Sequence, residues 1–129
     1  MTEKRNMILI VDDEESIRRL VRRMLSKAYK VVEAEDGEIA VFNALRHKPD
    51  LILMDILMPK VDGYTACKKI RATPATKAIP IVMLTGLGFK LNLELSHEMG
   101  ADGYITKPFT EMDLLNTVDA FLKGHLREN

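Results

Sequence analysis

The sequence predicts an α/β fold in which a doubly wound, five-stranded parallel sheet carries helices on both faces. Two observations lead to this fold class. Three short runs of residues are apolar throughout rather than alternating, which is typical of strands buried on both faces. Amphipathic helical patterns alternate with the strand candidates, and the loops between them are short. Strict alternation with short connections favours a parallel sheet with helices on both sides.

The first half of the chain supplies three strands and two helices. Met7–Val11 is a purely aliphatic strand candidate. Residues 15–28 follow with apolar side chains at the i, i+3, i+4 and i+7 spacing of one buried helix face. The opposite face of this helix carries Arg18, Arg19, Arg22 and Arg23. The next three predicted elements are a weak strand at Lys30–Ala34, a helix at residues 38–47 and a strong strand at residues 51–54.

The second half continues the alternation. Its predicted elements are a helix at residues 63–71, a strand at 79–84 that is interrupted by Pro80, a helix at about 90–99 and a weak strand at Gly103–Thr106. A final helix follows Pro108. Thr110 is its predicted N-cap, because Asp113 lies three residues later, and Gly124 is its predicted end.

Composition limits the classes of protein to consider. The 129 residues include 19 basic and 19 acidic side chains, so the net charge gives no reason to expect direct nucleic-acid binding or attraction to a membrane. Cys67, the single cysteine, cannot form an internal disulfide and is expected to be a small core residue. No signal peptide is evident, and no apolar run approaches the ~20 residues that cross a bilayer. We therefore expect a cytoplasmic chain with no membrane insertion, forming one domain over residues 1–129.

Residues with metal or phosphate chemistry follow four of the five predicted strands. They are Asp12 and Asp13 after the first, Asp55 after the third, Thr85 after the fourth and Lys107 after the fifth. Doubly wound sheets bind ligands outside the carboxyl ends of their strands, so these side chains are expected to converge. Three converging carboxylates repel one another unless a cation neutralises them, and oxygen ligands favour Mg²⁺.

Asp55 is the predicted nucleophile of this site. Aspartate accepts phosphoryl groups in covalent catalysis, and Asp55 ends the most apolar strand. Lys107 adds a positive charge and Thr85 a hydroxyl donor for transferring phosphoryl oxygens. Each residue taken alone has a simpler interpretation. The acidic pair could cap a helix, and Asp55 could simply be the residue at which a loop begins. Lys107 could be a solvated lysine, and Thr85 could be a turn residue. Four strand ends with related chemistry favour the joint interpretation.

With these residues in place, the sequence resembles the receiver domain of two-component response regulators. The similar segments are residues 8–14, 49–59, 61–63, 79–86 and 100–109, in the order and spacing of the family. The resemblance implies a flavodoxin-like (βα)5 sandwich with strand order 2-1-3-4-5, and a single receiver domain over residues 1–129.

The resemblance also implies a role for each site residue. Asp55 would become a 4-aspartylphosphate, and Lys107, before a cis bond to Pro108, would be its counter-charge. Mg²⁺ would be bound by Asp12, Asp13, Asp55 and the backbone carbonyl of Leu57. Thr85 and Tyr104 would be the switch residues, although Tyr104 could also simply pack on the last helices.

The implied function is a phosphoacceptor switch that supports its own phosphotransfer and slow autodephosphorylation but is not an enzyme. Its implied partners are a histidine kinase or phosphotransfer protein and a downstream output protein or domain, with a phosphorylation-dependent dimer as a further possibility. The arginine face of the first helix lies where the family docks its kinase, but we favour simple solvation of that face.

Two hypotheses concern residues near the predicted site. Leu57 and Leu87 lie where the family tunes the access of hydrolytic water, and their apolar character predicts a long-lived acyl phosphate. Residues 87–95 are too apolar for one helix face, which predicts either a partner surface or a buried irregular loop.

Three other classes of protein fit less well. A haloacid-dehalogenase-like phosphatase would place Asp-x-Asp after the first strand, whereas this strand ends in Asp12-Asp13. A flavin-binding domain would need a hydroxyl-rich and glycine-rich first loop. An inactive scaffold would not need the complete set of site residues.

The sequence leaves open whether the receiver acts alone or within a longer protein.

Overall fold

The framework of the protein is a sheet of five parallel strands in the order β2-β1-β3-β4-β5. The computed structural model describes residues 5–56, 58, 61–86, 98 and 100–123. Its strands are β1 (Met7–Val11), β2 (Lys30–Ala34), β3 (Leu51–Asp55), β4 (Ile81–Thr85) and β5 (Gly103–Thr106). Each strand pairing is parallel. The predicted fold class and strand order are confirmed.

Helices cover both faces of the sheet. Within the described residues they are α1 (Glu15–Leu25), α2 (Gly37–His47), α3 (Gly63–Ala72) and α4 (Glu111–Leu122). The helix predicted near residues 90–99 lies outside the described residues, apart from Glu98, and so does the predicted helix end at Gly124. No helix in the described part of the chain has both the length and the apolar character that a membrane span requires.

Two apolar cores lie on opposite sides of the sheet. One core joins strand residues to α2 and α3, with Leu9, Val11, Ile52, Met54, Ala40, Ala44, Ala66, Cys67 and Ile70 among its members. The other joins the alternate strand residues to α1 and α4, with Ile8, Ile10, Leu51, Leu53, Val21, Leu25, Leu114, Val118 and Phe121. Successive strand side chains point to opposite faces, which explains why β1 and residues 51–54 of β3 are apolar at every position.

Two strands extend farther toward the site than the sequence predicts. Asp55 pairs with Leu84, and Thr85 pairs with Thr106, so both site residues belong to strands. At its other end β4 begins at Ile81 rather than at residue 79. Pro80 has no N–H for the sheet, and the amide of Ile79 donates instead to a turn carbonyl.

Helix α1 ends three residues before its predicted end. The hydroxyl of Ser26 donates to the carbonyl of Arg22, and the amides of Ala28 and Tyr29 both donate to the carbonyl of Leu25. These bonds form a turn that leads directly into β2. Ala28, the last apolar residue of the predicted helix, is exposed, whereas Tyr29 packs against the core.

The other helices begin at capped positions. Asp36 accepts a hydrogen bond from the amide of Ile39 to cap α2, and Asp62 accepts one from Thr65 to cap α3. The predicted cap of α4 is confirmed, because Thr110 and Asp113 form a reciprocal capping box with two bonds of 3.0 Å. These caps satisfy amides that a helix cannot satisfy internally.

Candidate functional site

Three carboxylates meet where the carboxyl ends of β1 and β3 adjoin. Each of Asp12, Asp13 and Asp55 offers an oxygen that lies within 4.8 Å of the corresponding oxygens of the other two. Asp12 and Asp55 are buried, whereas Asp13 is exposed. The neighbouring strands β1 and β3 bring these residues together although they are far apart in sequence.

Both carboxylate oxygens of Asp12, its amide and its backbone carbonyl form hydrogen bonds. Its Oδ1 accepts from the amide of Glu14 at 3.0 Å, and its Oδ2 accepts from Lys107 Nζ at 2.9 Å. Its amide donates to the carbonyl of Ala34 at 3.1 Å, and its own carbonyl accepts from Arg18 Nη1 at 2.7 Å. The alternative interpretation of the acidic pair as helix caps is wrong, since the N-cap of α1 is Glu14, whose side chain makes no capping bond.

Lys107 is a partly buried cation facing two of the carboxylates. Its Nζ lies 2.9 Å from Asp12 Oδ2 and 3.7 Å from Asp55 Oδ2, and its side chain is 19% exposed. Burial by itself lowers the pKa of Lys107, but the hydrogen bond to Asp12 and the nearby carboxylate charges outweigh burial and raise it. The lysine therefore stays protonated, and it is not a simple solvated side chain. The bond from Lys107 to Pro108 is cis.

The charges at this site do not balance without a further cation. At 4.8 Å, the upper limit of the distances between these oxygens, two carboxylate charges repel by roughly 3 kcal/mol at an effective dielectric constant of about 20. Three carboxylates and one lysine carry a formal charge of −2. A divalent cation would neutralise that charge, and carboxylate oxygens are the ligands that hard divalent cations prefer. The donor set therefore fits a divalent metal. Leu57, the predicted backbone ligand, lies outside the described residues.

Thr85 presents a buried hydroxyl at the same edge of the sheet. Its residue is 3% exposed, and among the described residues its Oγ1 has no hydrogen-bond partner. Leaving a buried hydroxyl unpaired costs roughly 1–3 kcal/mol, so such a group calls for a functional explanation. The carbonyl of Thr85 accepts from the amide of Lys107 at 2.7 Å, which ties the two site residues together.

Tyr104 lies farther back along β5. It is opposite Met83 in the strand register, and it is 49% exposed. Thr106, two residues later on the same strand, pairs with Thr85. The two predicted switch residues thus belong to adjacent strands. Leu87 and residues 87–95, on which the two other hypotheses depend, lie outside the described residues.

An apolar cleft opens beside Lys107, between α1 and the start of the segment that leads to α4. Its volume is about 390 Å³. The lining residues are Ile17, Leu20, Gly86, Lys107, Pro108 and Phe109. The cleft places an apolar surface next to the charged site.

Two residues shape this site in ways that the sequence pattern does not predict. The arginine face of α1 is predicted to be solvated. The prediction is right for Arg19, whose side chain is 69% exposed, but wrong for Arg18, whose side chain is 15% exposed. The available signal was Glu33, a charged residue inside a predicted strand. Gly63 is predicted to begin a helix and lies in the family-like segment 61–63, but neither observation predicts its contact with Asp55. A Cβ there would lie 2.4 Å from the backbone oxygen of Asp55, so only glycine fits beside the predicted nucleophile.

The fold and the site together define a receiver domain. The family model described as "Response regulator receiver domain" matches residues 8–119. The chain therefore belongs to the receiver domain family of two-component response regulators, as the resemblance implied, and the phosphatase and flavin-binding alternatives are set aside.

Individual relatives agree with this assignment. The chain is 44% identical over 117 residues to the transcriptional regulatory protein ResD of Bacillus subtilis (strain 168). The aligned residues cover 90% of this chain and 48% of ResD. The chain spans about half the length of the curated relatives it matches.

Solved structures match the fold closely. A putative response regulator from Chloroflexus aurantiacus J-10-fl aligns with a TM-score of 0.87 and 37% identity, covering 93% of this chain and 99% of that one. The receiver domain of sensor histidine kinase PA1611 from Pseudomonas aeruginosa PAO1, described with a magnesium ion coordinated in its active site cleft, aligns with a TM-score of 0.85 and 31% identity. That alignment covers 93% of this chain and 99% of that one.

Proposed function

We propose that this chain is a phosphorylation switch in which Asp55 accepts a phosphoryl group from the phosphohistidine of a histidine kinase or a phosphotransfer protein. One observation carries the proposal. A buried carboxylate, an acidic pair, a protonated lysine and a buried hydroxyl without a partner among the described residues share one edge of the sheet. Each of these groups has a separate task in phosphoryl transfer.

Transfer begins with an oxygen of Asp55 attacking phosphorus. The new P–O bond forms as the P–N bond breaks, and the imidazole leaves with the bonding electrons and takes up a proton. Lys107 pairs with the phosphoryl oxygens, because its protonated Nζ already lies 3.7 Å from Asp55 Oδ2. Mg²⁺, held by Asp12, Asp13, Asp55 and the backbone carbonyl of Leu57, would neutralise charge as it builds on the oxygens.

The signal then passes through Thr85. Its buried hydroxyl donates a hydrogen bond to a phosphoryl oxygen on Asp55, which removes the cost of the unpaired group. Thr85 pairs with Thr106 on β5, the strand that carries Tyr104. A movement of β4 at Thr85 would therefore displace β5 as well. The added contact shifts a two-state equilibrium toward the form that binds a partner.

The partners follow from the family and from the surface beside the site. The phosphodonor docks across the apolar cleft formed by Ile17, Leu20 and Phe109, which opens next to Lys107. The output lies in a separate protein or in a further domain, as the name and greater length of ResD suggest. Residues 1–129 act as one cytoplasmic receiver domain that does not itself bind nucleic acid, with phosphorylation-dependent dimerisation as one form of output.

Acylphosphate formation tests the proposal directly. The protein is incubated with acetyl phosphate and Mg²⁺ and its intact mass is measured. We expect an adduct of one phosphoryl group, because Asp55 is a positioned carboxylate nucleophile, and we expect none for Asp55→Asn or when Mg²⁺ is chelated. Asp119→Asn is the matched control, since Asp119 is an exposed helical carboxylate paired with Lys123. A wild-type protein without an adduct, or an adduct that persists in Asp55→Asn, would overturn the proposal.

A further inference from the structure

Arg18 connects helix α1 to the backbone of the acidic pair. It lies in the first turn of α1, and its Nη1 donates to the carbonyl of Asp12 at 2.7 Å. Its Nε donates to Glu33 Oε1 at 3.0 Å. A helical side chain points back toward the N-terminus of its helix, which brings the guanidinium to the loop after β1. Two bonds from different nitrogens fix the plane of this guanidinium.

Glu33 is in turn fixed by a second arginine. Its Oε2 accepts from Arg22 Nε at 2.7 Å, and its position on β2 is opposite Ile10 of β1. Burial by itself raises the pKa of Glu33, but the hydrogen bonds and charges of Arg22 and Arg18 outweigh burial and lower it. Glu33 is therefore ionised at neutral pH, and its carboxylate is shared by Arg18 and Arg22. What distinguishes Arg18 from Arg22 is its hydrogen bond to the carbonyl of Asp12.

We propose that Arg18, held by Glu33, is a positioning residue for the metal-binding acidic pair. The carbonyl of Asp12 and the amide of Asp13 belong to one planar peptide unit. The bond from Arg18 holds this carbonyl, while the bond to Ala34 holds the amide of Asp12 on its other side. Together they fix the directions in which both carboxylates leave the backbone. The inference rests on the proposed function, because it concerns the same site.

The competing explanation is that the Arg18–Glu33 pair only ties α1 to β2. A tie of that kind would alter the stability of the fold but not the affinity of the folded site for a metal. Groups that orient metal ligands typically change metal affinity by roughly 10–100-fold when they are removed. Metal affinity of the folded protein therefore separates the two explanations.

The experiment measures Mn²⁺ binding by electron paramagnetic resonance of the free ion, with circular dichroism to confirm that each variant is folded. We expect Arg18→Gln to weaken Mn²⁺ binding roughly tenfold or more. Glu33→Gln should weaken it by a smaller factor, because Arg18 stays in place but loses its anchor. Arg18→Lys should not restore affinity, since one ammonium lacks the fork that reaches both partners.

Two matched controls complete the set. Arg19→Gln removes an exposed ion pair with Glu15 on the same helix, and Arg22→Gln removes the outer bond to Glu33 but leaves the bond from Arg18 to Asp12 intact. Both controls are expected to keep Mn²⁺ affinity within about twofold of the wild type, well below the effect of losing an orienting group.

Failure of the inference can be told apart from failure of the proposed function. If the wild type binds Mn²⁺ and forms the acylphosphate while Arg18→Gln binds Mn²⁺ equally well, the positioning role is wrong and the proposed function stands. Equal weakening in Arg18→Gln and Arg22→Gln would also overturn the positioning role, because the bond from Arg18 to the carbonyl of Asp12 remains in Arg22→Gln. A wild type that binds no Mn²⁺ would overturn the proposed function and the inference together.

Discussion

At the scale of the residue, the site depends on a carboxylate that the fold buries completely. Asp12 is fully buried, and its side chain is paired with Lys107. A buried charge is costly unless it is paired and hydrogen-bonded, and Asp12 has both kinds of partner. The lysine lies closer to Asp12, at 2.9 Å, than to Asp55, at 3.7 Å. Its position leaves Asp55 with the longer of the two contacts.

Cys67 provides a test of burial at one residue. The thiol is fully buried in the core beneath α3, as the sequence predicted. Burial raises its pKa to about 11, while Arg71 acts to lower it and Asp102 to raise it. Because the neutral form is favoured up to that pH and reagents cannot reach the sulfur, we expect no alkylation by iodoacetamide at pH 8. Intact mass measures the reaction.

The control for this prediction is the same protein in denaturant. There the thiol is exposed, its pKa returns to about 8.5, and complete alkylation is expected. Cys67 is the single cysteine of the chain, so the mass change has one source. Rapid alkylation of the folded protein would contradict the described packing of α3.

At the scale of the element, the start of α3 is limited by its contact with β3. The amide of Gly63 donates to the carbonyl of Ile56 at 2.9 Å, which draws the helix start against the end of the strand. A Cβ at Gly63 would lie 2.4 Å from the oxygen of Asp55 and 2.8 Å from Cα of Ile56. These are backbone atoms, which cannot move aside as the end of a side chain can.

Gly63→Ala is therefore expected to displace α3 from the strand that carries Asp55. We expect a loss of roughly 1–3 kcal/mol in the free energy of unfolding, measured by urea denaturation, together with slower formation of the acylphosphate. The matched control is Gly86→Ala, because no described atom lies within 4 Å of a Cβ at Gly86. Equal stability of the two variants would show that the close approach is not limiting.

Local sequence patterns predict some ends of the helices and strands correctly and others incorrectly. The strands Met7–Val11 and Lys30–Ala34 and the cap at Thr110 are as predicted, because their signals are local. The end of α1 and the start of β4 differ from prediction. Both are decided by hydrogen bonds to turns that also pack on the core, and residue propensity does not report such bonds.

At the scale of the whole molecule, Arg71 connects the end of α3 to the residues that precede β4 and β5. Its guanidinium donates to the carbonyls of Gly100 and Lys77, both at 2.9 Å, and to the carboxylate of Asp102 at 2.6 Å. The same carboxylate oxygen accepts from the amide of Ile81 at 2.8 Å. One side chain thus joins α3, the start of β4 and the segment before β5.

Arg71→Met tests how much this connection contributes. The substitution keeps the apolar stem but removes every hydrogen bond and leaves Asp102 partly buried without its cation. We expect a loss of roughly 2–4 kcal/mol in the free energy of unfolding, measured by urea denaturation. In the double variant with Asp102→Asn, the losses should be less than additive because the two side chains share one interaction.

Lys69→Met is the control, since Lys69 is an exposed residue near the end of the same helix. It is expected to change stability by less than about 0.5 kcal/mol. A loss in Arg71→Met no larger than in Lys69→Met would mean that the network does not stabilise the fold. Additive losses in the double variant would mean that Arg71 and Asp102 act independently.

The sequence by itself determined the fold class, the family and the identity of the acidic residues at the strand ends. Apolar runs and the residues that directly follow them are local features, and the topology of a parallel sheet brings their ends together. Only the tertiary structure decided that Arg18 contacts the carbonyl of Asp12, that Lys107 pairs more closely with Asp12 than with Asp55, and how closely Gly63 approaches the site. These contacts join elements that are distant in sequence. They depend on how side chains pack across the sheet edge, and no local pattern records that packing.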